Sequence, residues 1–209
     1  MARPRKVSDE QVFAAAQRVM TRVGPSELTL ALIGREAGVT PGALVQRFGS
    51  KRDLMLRMAG LLAGGIGQLF EQLRERHESP LAVIRAYATC MAQMAVTPEA
   101  LARNFAYLQV DLTDSDLRAH LVVTARETRG ELLALIAEAK THGEIVEEAP
   151  AIPLAKNIEA LVSGALMTWA FYREGSAATW LRSHLDALIS PYTTARREQR
   201  ARRVRPRKR

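Results

Sequence analysis

Residues 29–54, TLALIGREAGVTPGALVQRFGSKRDL, decide the fold. They read as two short helices joined by a tight turn, with a third helix opening behind them. Thr29 caps the first, Leu30 to Ala37, and Gly38 stands where a helix ends in a left-handed residue. Val39 is the apolar residue inside the turn. Thr40 caps the second helix, and Pro41 takes its first position, where a missing N–H costs nothing. Leu30, Ile33, Ala37, Val39, Leu44 and Phe48 form the buried side. This is the pattern of a helix-turn-helix, whose second helix enters the major groove, so double-stranded DNA is the first partner to consider.

The neighbouring sequence supplies the rest of a helical chain. Upstream, Ser8 with Gln11 makes a capping box for a helix to about Val23, which Gly24-Pro25 ends. Downstream, Ser50 with Asp53 makes another, for a helix expected to run to about His77. That helix holds Gly60, Gly64, Gly65 and Gly67, each costing about 1 kcal/mol against alanine. The cluster reads either as close packing at Gly60 and Gly64 or as a bend. Ser79-Pro80, Thr97-Pro98 and Thr113 with Asp116 open the next three helices. Two more follow, from about Pro153 to Glu174 and from Ala177 to Ser190. The expected fold is all-α, with domain boundaries at 1–54 (DNA binding, with a basic N-terminal arm), 55–194 (ligand binding and dimerisation) and 195–209 (a disordered basic tail).

Composition narrows the class. The chain has 209 residues, 47% hydrophobic and only 5% aromatic, which favours packed helices over sheets. The net charge of +8 is uneven. Nine Lys/Arg against one Glu fall in 195–209, and Arg3, Arg5 and Lys6 precede the first helix, while 59–194 is net acidic. The lone Cys90 excludes an internal disulfide framework and a cysteine-based zinc site. The start lacks the apolar core of a signal peptide. The apolar run Leu161–Tyr172 is shorter than the roughly 20 residues that span a bilayer. A cytoplasmic protein without membrane contact is expected. His77, His120, His142 and His184 show no metal-ligand spacing, and no phosphate loop or nucleophile elbow is present, so neither an enzyme nor a cofactor is expected.

Residues 8–54 resemble the tetracycline-repressor-like (TetR) family of bacterial transcription regulators. The resemblance rests on Thr29, Ile33, Arg35-Glu36-Ala37-Gly38-Val39-Thr40, Gly42, Leu44, Phe48, Ser50-Lys51 and Leu54. It continues as architecture to the end of the last helix, where Gly164-Ala165-Leu166, Trp169 and Trp180-Leu181-Arg182 look like the family's C-terminal pair. The chain departs at Val45, where a tyrosine is common, at Arg47, where histidine or tyrosine is common, and at Gly34, where alanine is usual. Val45 removes a hydrogen-bond donor toward the DNA backbone, and Arg47 offers a phosphate contact nearby.

On DNA, the exposed start of the second helix is expected to face base edges through Thr40, Pro41, Gly42, Ala43 and Gln46. Gly42 either lets the backbone approach or fills a packing gap. Gln46 suits adenine or is simply solvated. Thr29 and Thr40 both cap helices and can hold phosphate. Lys51, at a helix N-terminus where it opposes the dipole, and Arg47 are expected on phosphates. The arm residues Arg3, Arg5 and Lys6 could reach an adjacent minor groove, and the tail could add sequence-independent affinity.

The larger domain offers apolar stripes with polar intrusions. Asn104, His120 and Thr124, with Met91 and Met94, read either as core or as a pocket for a small-molecule effector. The helix around 160–172 is apolar nearly all round. Ala160, Gly164 and Thr168, with Trp180, Leu181, Leu185 and Leu188, are the expected homodimer interface. The leading reading is a dimeric regulator of a near-palindromic operator, a repressor released by its ligand. The alternative is an architectural, largely nonspecific DNA binder using the basic tail.

Overall fold

The computed structural model describes residues 7–95 and 97–194, the Met94 side chain excepted. The arm residues Arg3, Arg5 and Lys6, the tail 195–209 and the pocket role of Met94 therefore lie outside the described residues. The described chain is all-α: α1 (Asp9–Met20), α2 (Leu30–Ala37), α3 (Pro41–Phe48), α4 (Lys51–Gly64), α5 (Ile66–Arg76), α6 (Pro80–Ala92), α7 (Pro98–Thr113), α8 (Ser115–Thr141), α9 (Ala151–Tyr172) and α10 (Ala177–Ile189). No helix among the described residues is long and apolar enough to cross a membrane.

Local chemistry sets most helix starts. Ser8 and Gln11 exchange both bonds of a capping box, at 2.9 and 3.2 Å. The Ser50 hydroxyl accepts from Asp53 N while the Asp53 carboxylate accepts from Ser50 N, both at 3.1 Å. Ser79 and Ser176 cap α6 and α10 with single bonds, their hydroxyls accepting from Ala82 N and Thr179 N at 3.1 Å. The expected Thr113 cap is replaced by Asp114, whose carboxylate accepts from Asp116 N and Leu117 N at 3.0 and 3.2 Å. Thr113 instead donates back to the Gln109 and Val110 carbonyls of its own helix.

The helix expected from Ser50 to His77 is two helices. α4 ends at Gly64 and α5 starts at Ile66, with Gly65 between them. The close-packing reading survives only at Gly60, where an added Cβ would lie 3.3 Å from the His120 ring; at Gly64 it would meet nothing within 4 Å. Two adjacent residues without side chains leave the backbone uncovered and helically weak, and the helix stops there.

The chain divides into two compact units. One takes the residues up to Gly64 together with Glu99–Thr124; the other takes Gly65–Pro98 and the chain from Ala125 on. The first has its own core: Val12, Ala16, Val19, Leu28, Ile33, Leu44, Phe48, Leu54, Met58 and Tyr107. Tyr107 comes from α7, and its hydroxyl donates to the Val23 carbonyl at 3.0 Å. The end of the first helical segment is thus tied to a residue 84 positions further along the chain.

In the second unit, Phe70 stacks on Tyr87 with ring centroids 5.0 Å apart. Burial pushes the Tyr87 phenol up to about 12. Glu144, in the loop after α8, accepts from Leu81 N at 3.1 Å and so helps cap α6. An isolated bridge, Ile145 to Thr193, ties that loop to the end of α10. In the pair α9–α10, two residues of the expected dimer interface, Leu181 and Leu185, lie inside the chain's own core. Ala177, Leu181, Leu185 and Ile189, four apart, form the face of α10 turned into its own chain, where α10 packs on α9 and α6. Leu181 and Leu185 are both 0% exposed and cannot meet a partner. Ala160 is exposed, and Gly164, Thr168, Trp180 and Leu188 are half-buried. The outer face of α9 carries Ile152, Met167 and Phe171, with Tyr172 beside it; Phe171 and Tyr172 are 70% and 66% exposed.

Candidate DNA interface

The turn between α2 and α3 closes on Gly34 and Gly38. Gly38 has φ 72°, and both its N–H and that of Val39 point to the Gly34 carbonyl, the latter at 2.9 Å. A Cβ on Gly34 would sit 2.6 Å from the Val39 carbonyl oxygen, which is backbone and cannot swing away. The glycine that departs from the usual alanine is therefore what this tight turn requires. Thr29 accepts from Leu32 N and Thr40 from Ala43 N, each at 3.2 Å.

With Leu44 and Phe48 buried, α3 turns Pro41, Gly42, Ala43, Val45 and Gln46 outward. A Cβ on Gly42 would meet nothing within 4 Å, so Gly42 fills no packing gap. The outward face is small and flat at its N-terminal end, where groove-entering helices touch bases, and Gln46 is its one amide. Val45, half exposed, adds only apolar surface.

The cations have partners within the first unit. Lys51 donates from Nζ to the Pro25 and Leu28 carbonyls at 3.1 and 3.0 Å. This resolves its conflict with the α4 dipole without any anion, because the ammonium has swung back to two carbonyl oxygens. Arg47 donates to the Val7 carbonyl at 2.6 Å, pairs with Asp9 and lies over the Phe48 ring, 5.4 Å from its centroid. Arg52 forks onto Asp114 at 2.6 and 2.8 Å and reaches Asp116 at 2.7 Å. That guanidinium holds the Asp114 carboxyl down at about 2. Arg18, followed by Arg22, holds Glu36 below the ordinary carboxylate range. None of the hydrogen-bond and ion-pair partners was evident in sequence, because each of those pairs joins residues well apart along the chain and no local pattern marks it.

Among the pocket candidates, Asn104, His120 and Thr124 fall in the first unit and Met91 in the second. His120 packs on Gly60, and the Thr124 hydroxyl donates to the His120 carbonyl at 3.0 Å. A cleft of about 140 Å³ between α1 and α4, lined by Phe13, Gln17, Met58 and Leu61 among others, includes none of them.

Residues 12–58 match the family model described as bacterial regulatory proteins, tetR family. Over those residues the chain is similar to this family's DNA-binding domain. It is 26% identical over 171 residues to the HTH-type transcriptional repressor BepR of Brucella suis biovar 1 (strain 1330), covering 79% of this chain and 82% of that one. Its fold is that of a TetR transcription regulator from Haloarcula marismortui ATCC 43049 (TM-score 0.74, 14% identity, 89% and 98% of the two chains). It is also that of the transcriptional regulator FadR from Bacillus subtilis, solved in complex with stearoyl-CoA (TM-score 0.66, 20% identity, 88% and 98% covered). The matching family model is one of bacterial regulatory proteins, and the relative with which the chain aligns over most of its length is a transcriptional repressor.

Proposed function

We propose that the chain is a homodimeric repressor that reads a near-palindromic operator through α3 and leaves it when a small molecule binds the larger helical domain. The observation that carries the reading is the outward face of α3, where Gly42 stands in open space between Pro41 and Ala43 with Gln46 one turn on. Such a face admits the DNA backbone and base edges closely and offers one amide for adenine. Thr29 and Thr40 hold phosphate at the helix N-termini. The third N–H of Lys51, beyond the two engaged with carbonyls, meets another phosphate.

The open apolar face of α9 supports the dimer. Ile152, Met167 and Phe171, with Tyr172 stacked on Trp180 at 5.9 Å, present large apolar surface that a second copy covers around the small residues Ala160 and Gly164. Repression is supported by the relative BepR, itself named a repressor. FadR, solved with an acyl-CoA, supports a small-molecule effector. Ligand binding then shifts the dimer toward a state whose recognition helices no longer match the half-site spacing.

Selection of bound duplexes from a random pool tests the reading. The expected product is an inverted repeat with half-sites about one helical turn apart or a multiple of it. Binding without sequence preference would overturn it in favour of an architectural protein, a role to which the nine Lys/Arg of residues 195–209 are suited.

A further inference from the structure

The cleft between α1 and α4 lies wholly within the first unit. From α1 it takes Glu10, Phe13, Ala14 and Gln17, whose spacing puts them on one face of the helix. From α4 it takes Met58, Leu61 and Leu62. Ala14 brings only a methyl to the middle of the α1 face, and a space of about 140 Å³ remains between the helices. Met58 is nearly buried, while Leu61 and Leu62 are each 56% exposed. Phe13 cannot fold inward to fill the space, because its ring is braced on Phe48 with centroids 5.7 Å apart. Phe48 is buried and carries the Arg57 guanidinium 5.4 Å from its centroid.

The lining selects an occupant. A cavity of roughly 150 Å³ accepts a benzene ring. Phe13 favours a second aromatic ring, and the Met58 thioether favours one as well. At one end stands a carboxylate without a cation. Asp9 is engaged by Arg47, and Glu36 by Arg18 and Arg22, whereas Glu10 enters no ion pair among the described residues. Hydrogen bonds from Ser8 and from its own backbone N–H, then the charge of Arg47, hold the Glu10 carboxyl below the ordinary range, so it is ionised at neutral pH. Gln17, seven residues on and therefore about 10 Å along the helix, offers an amide at the other end.

We propose that this cleft binds a small aromatic ammonium compound: one ring with a primary amine on a short alkyl stem. The ring lies against Phe13, Met58 and Leu61, and the ammonium pairs with Glu10. The site is separate from the effector site that the proposed function places in the larger helical domain, and it stands whether or not that reading does. Its occupant rests on the ring that packs against Phe48, the last residue of α3.

The test uses the full chain carrying ¹³C-methyl methionine, titrated with benzylamine, with its neutral analogue benzyl alcohol and with benzoate. Benzylamine should move the Met58 methyl resonance with a dissociation constant on the order of 1 mM, the range open to so small a ligand. Benzyl alcohol should bind about tenfold more weakly, the worth of one partly exposed charge-assisted bond, and benzoate more weakly still. Glu10→Gln, which keeps the volume, should bring benzylamine to the level of benzyl alcohol and leave benzyl alcohol unchanged. Ala14→Trp fills the cleft and should abolish the Met58 response to both. Ala14 is exposed, so the melting temperature should stay near that of the wild type.

A Met58 methyl unmoved by benzylamine at about twenty times that constant overturns the proposal. Movement of the Met91 or Met167 methyl without Met58 overturns it too, since the amine then sits elsewhere. Equal affinity for the three compounds, or undiminished benzylamine binding by Glu10→Gln, shows that no carboxylate selects the cation and overturns the assignment of ligand class.

Discussion

The two helix pairs α2–α3 and α9–α10 each present an open face, and the faces differ in kind. α3 exposes Pro41, Gly42, Ala43 and Gln46, residues with little bulk. α9 exposes Ile152, Met167 and Phe171, with Tyr172 at its end. A small face lets a polyanion's backbone come close and leaves recognition to hydrogen bonds; a bulky apolar face gains by excluding water against a matching surface. The buried sides differ less: Ile33, Leu44 and Phe48 under one pair, Leu181, Leu185 and Ile189 under the other, nearly all removed from solvent.

Substitutions that exchange the two characters break the comparison most strongly. In the proposed dimer Met167→Glu with Phe171→Glu would place four carboxylates across the two-fold axis and should weaken self-association by about a thousandfold, because burying an unpaired charge costs several kcal/mol. Sedimentation velocity at micromolar protein would show monomers; an unchanged dimer would place the interface elsewhere. Gly42→Leu puts bulk on the small face. Its Cβ meets nothing within 4 Å, so thermal stability should stay within about 0.5 kcal/mol. Operator affinity should fall by about a hundredfold, the order of one or two lost specific contacts. Titration by fluorescence anisotropy decides, and wild-type affinity would show that α3 does not approach DNA there.

Two smaller effects sharpen the account of how the reading pair is held. Gly34→Ala forces a methyl to 2.6 Å from the Val39 carbonyl oxygen. It should cost roughly 1–3 kcal/mol in denaturant melts through strain in the turn. Equal stability would mean the turn opens freely. The smallest effect is in acid. Asp114 titrates near 2 in the folded chain, below the ordinary carboxylate value of about 3.9. The stabilisation from its pairing with Arg52 is present above pH about 4 and lost as pH falls toward 2. Asp114→Asn should therefore flatten the acid limb of a melting-temperature profile between those values, and an identical limb would show that the pair adds nothing measurable.

The caps of α1, α2, α3, α4 and α6 were legible because a cap needs only residues three apart, and Ser8, Thr29, Thr40, Ser50 and Ser79 announce themselves. The outward residues of α3 followed from the same short period. What sequence did not yield was which distant group each long side chain finds. Lys51 looked like an unopposed charge at a helix start until the carbonyls of Pro25 and Leu28 came within reach. Arg47 looked free until the entry to α1 met it. Leu181 and Leu185 looked like interface because a periodic apolar stripe does not say whether its cover comes from the same chain or another. The break at Gly65 was present in the composition, but four glycines state only that a helix is weak, not where it yields.

The hook made by Lys51 has a consequence for the thermodynamics of association. A free lysine loses about 2 kcal/mol of rotamer entropy when it is immobilised. In this chain two carbonyls order the side chain during folding, before any DNA arrives. A phosphate that meets Lys51 meets an already oriented ammonium, so the ordering cost falls on folding rather than on binding. On the proposed reading, the protein's stability and its grip on DNA draw on one side chain at two different times.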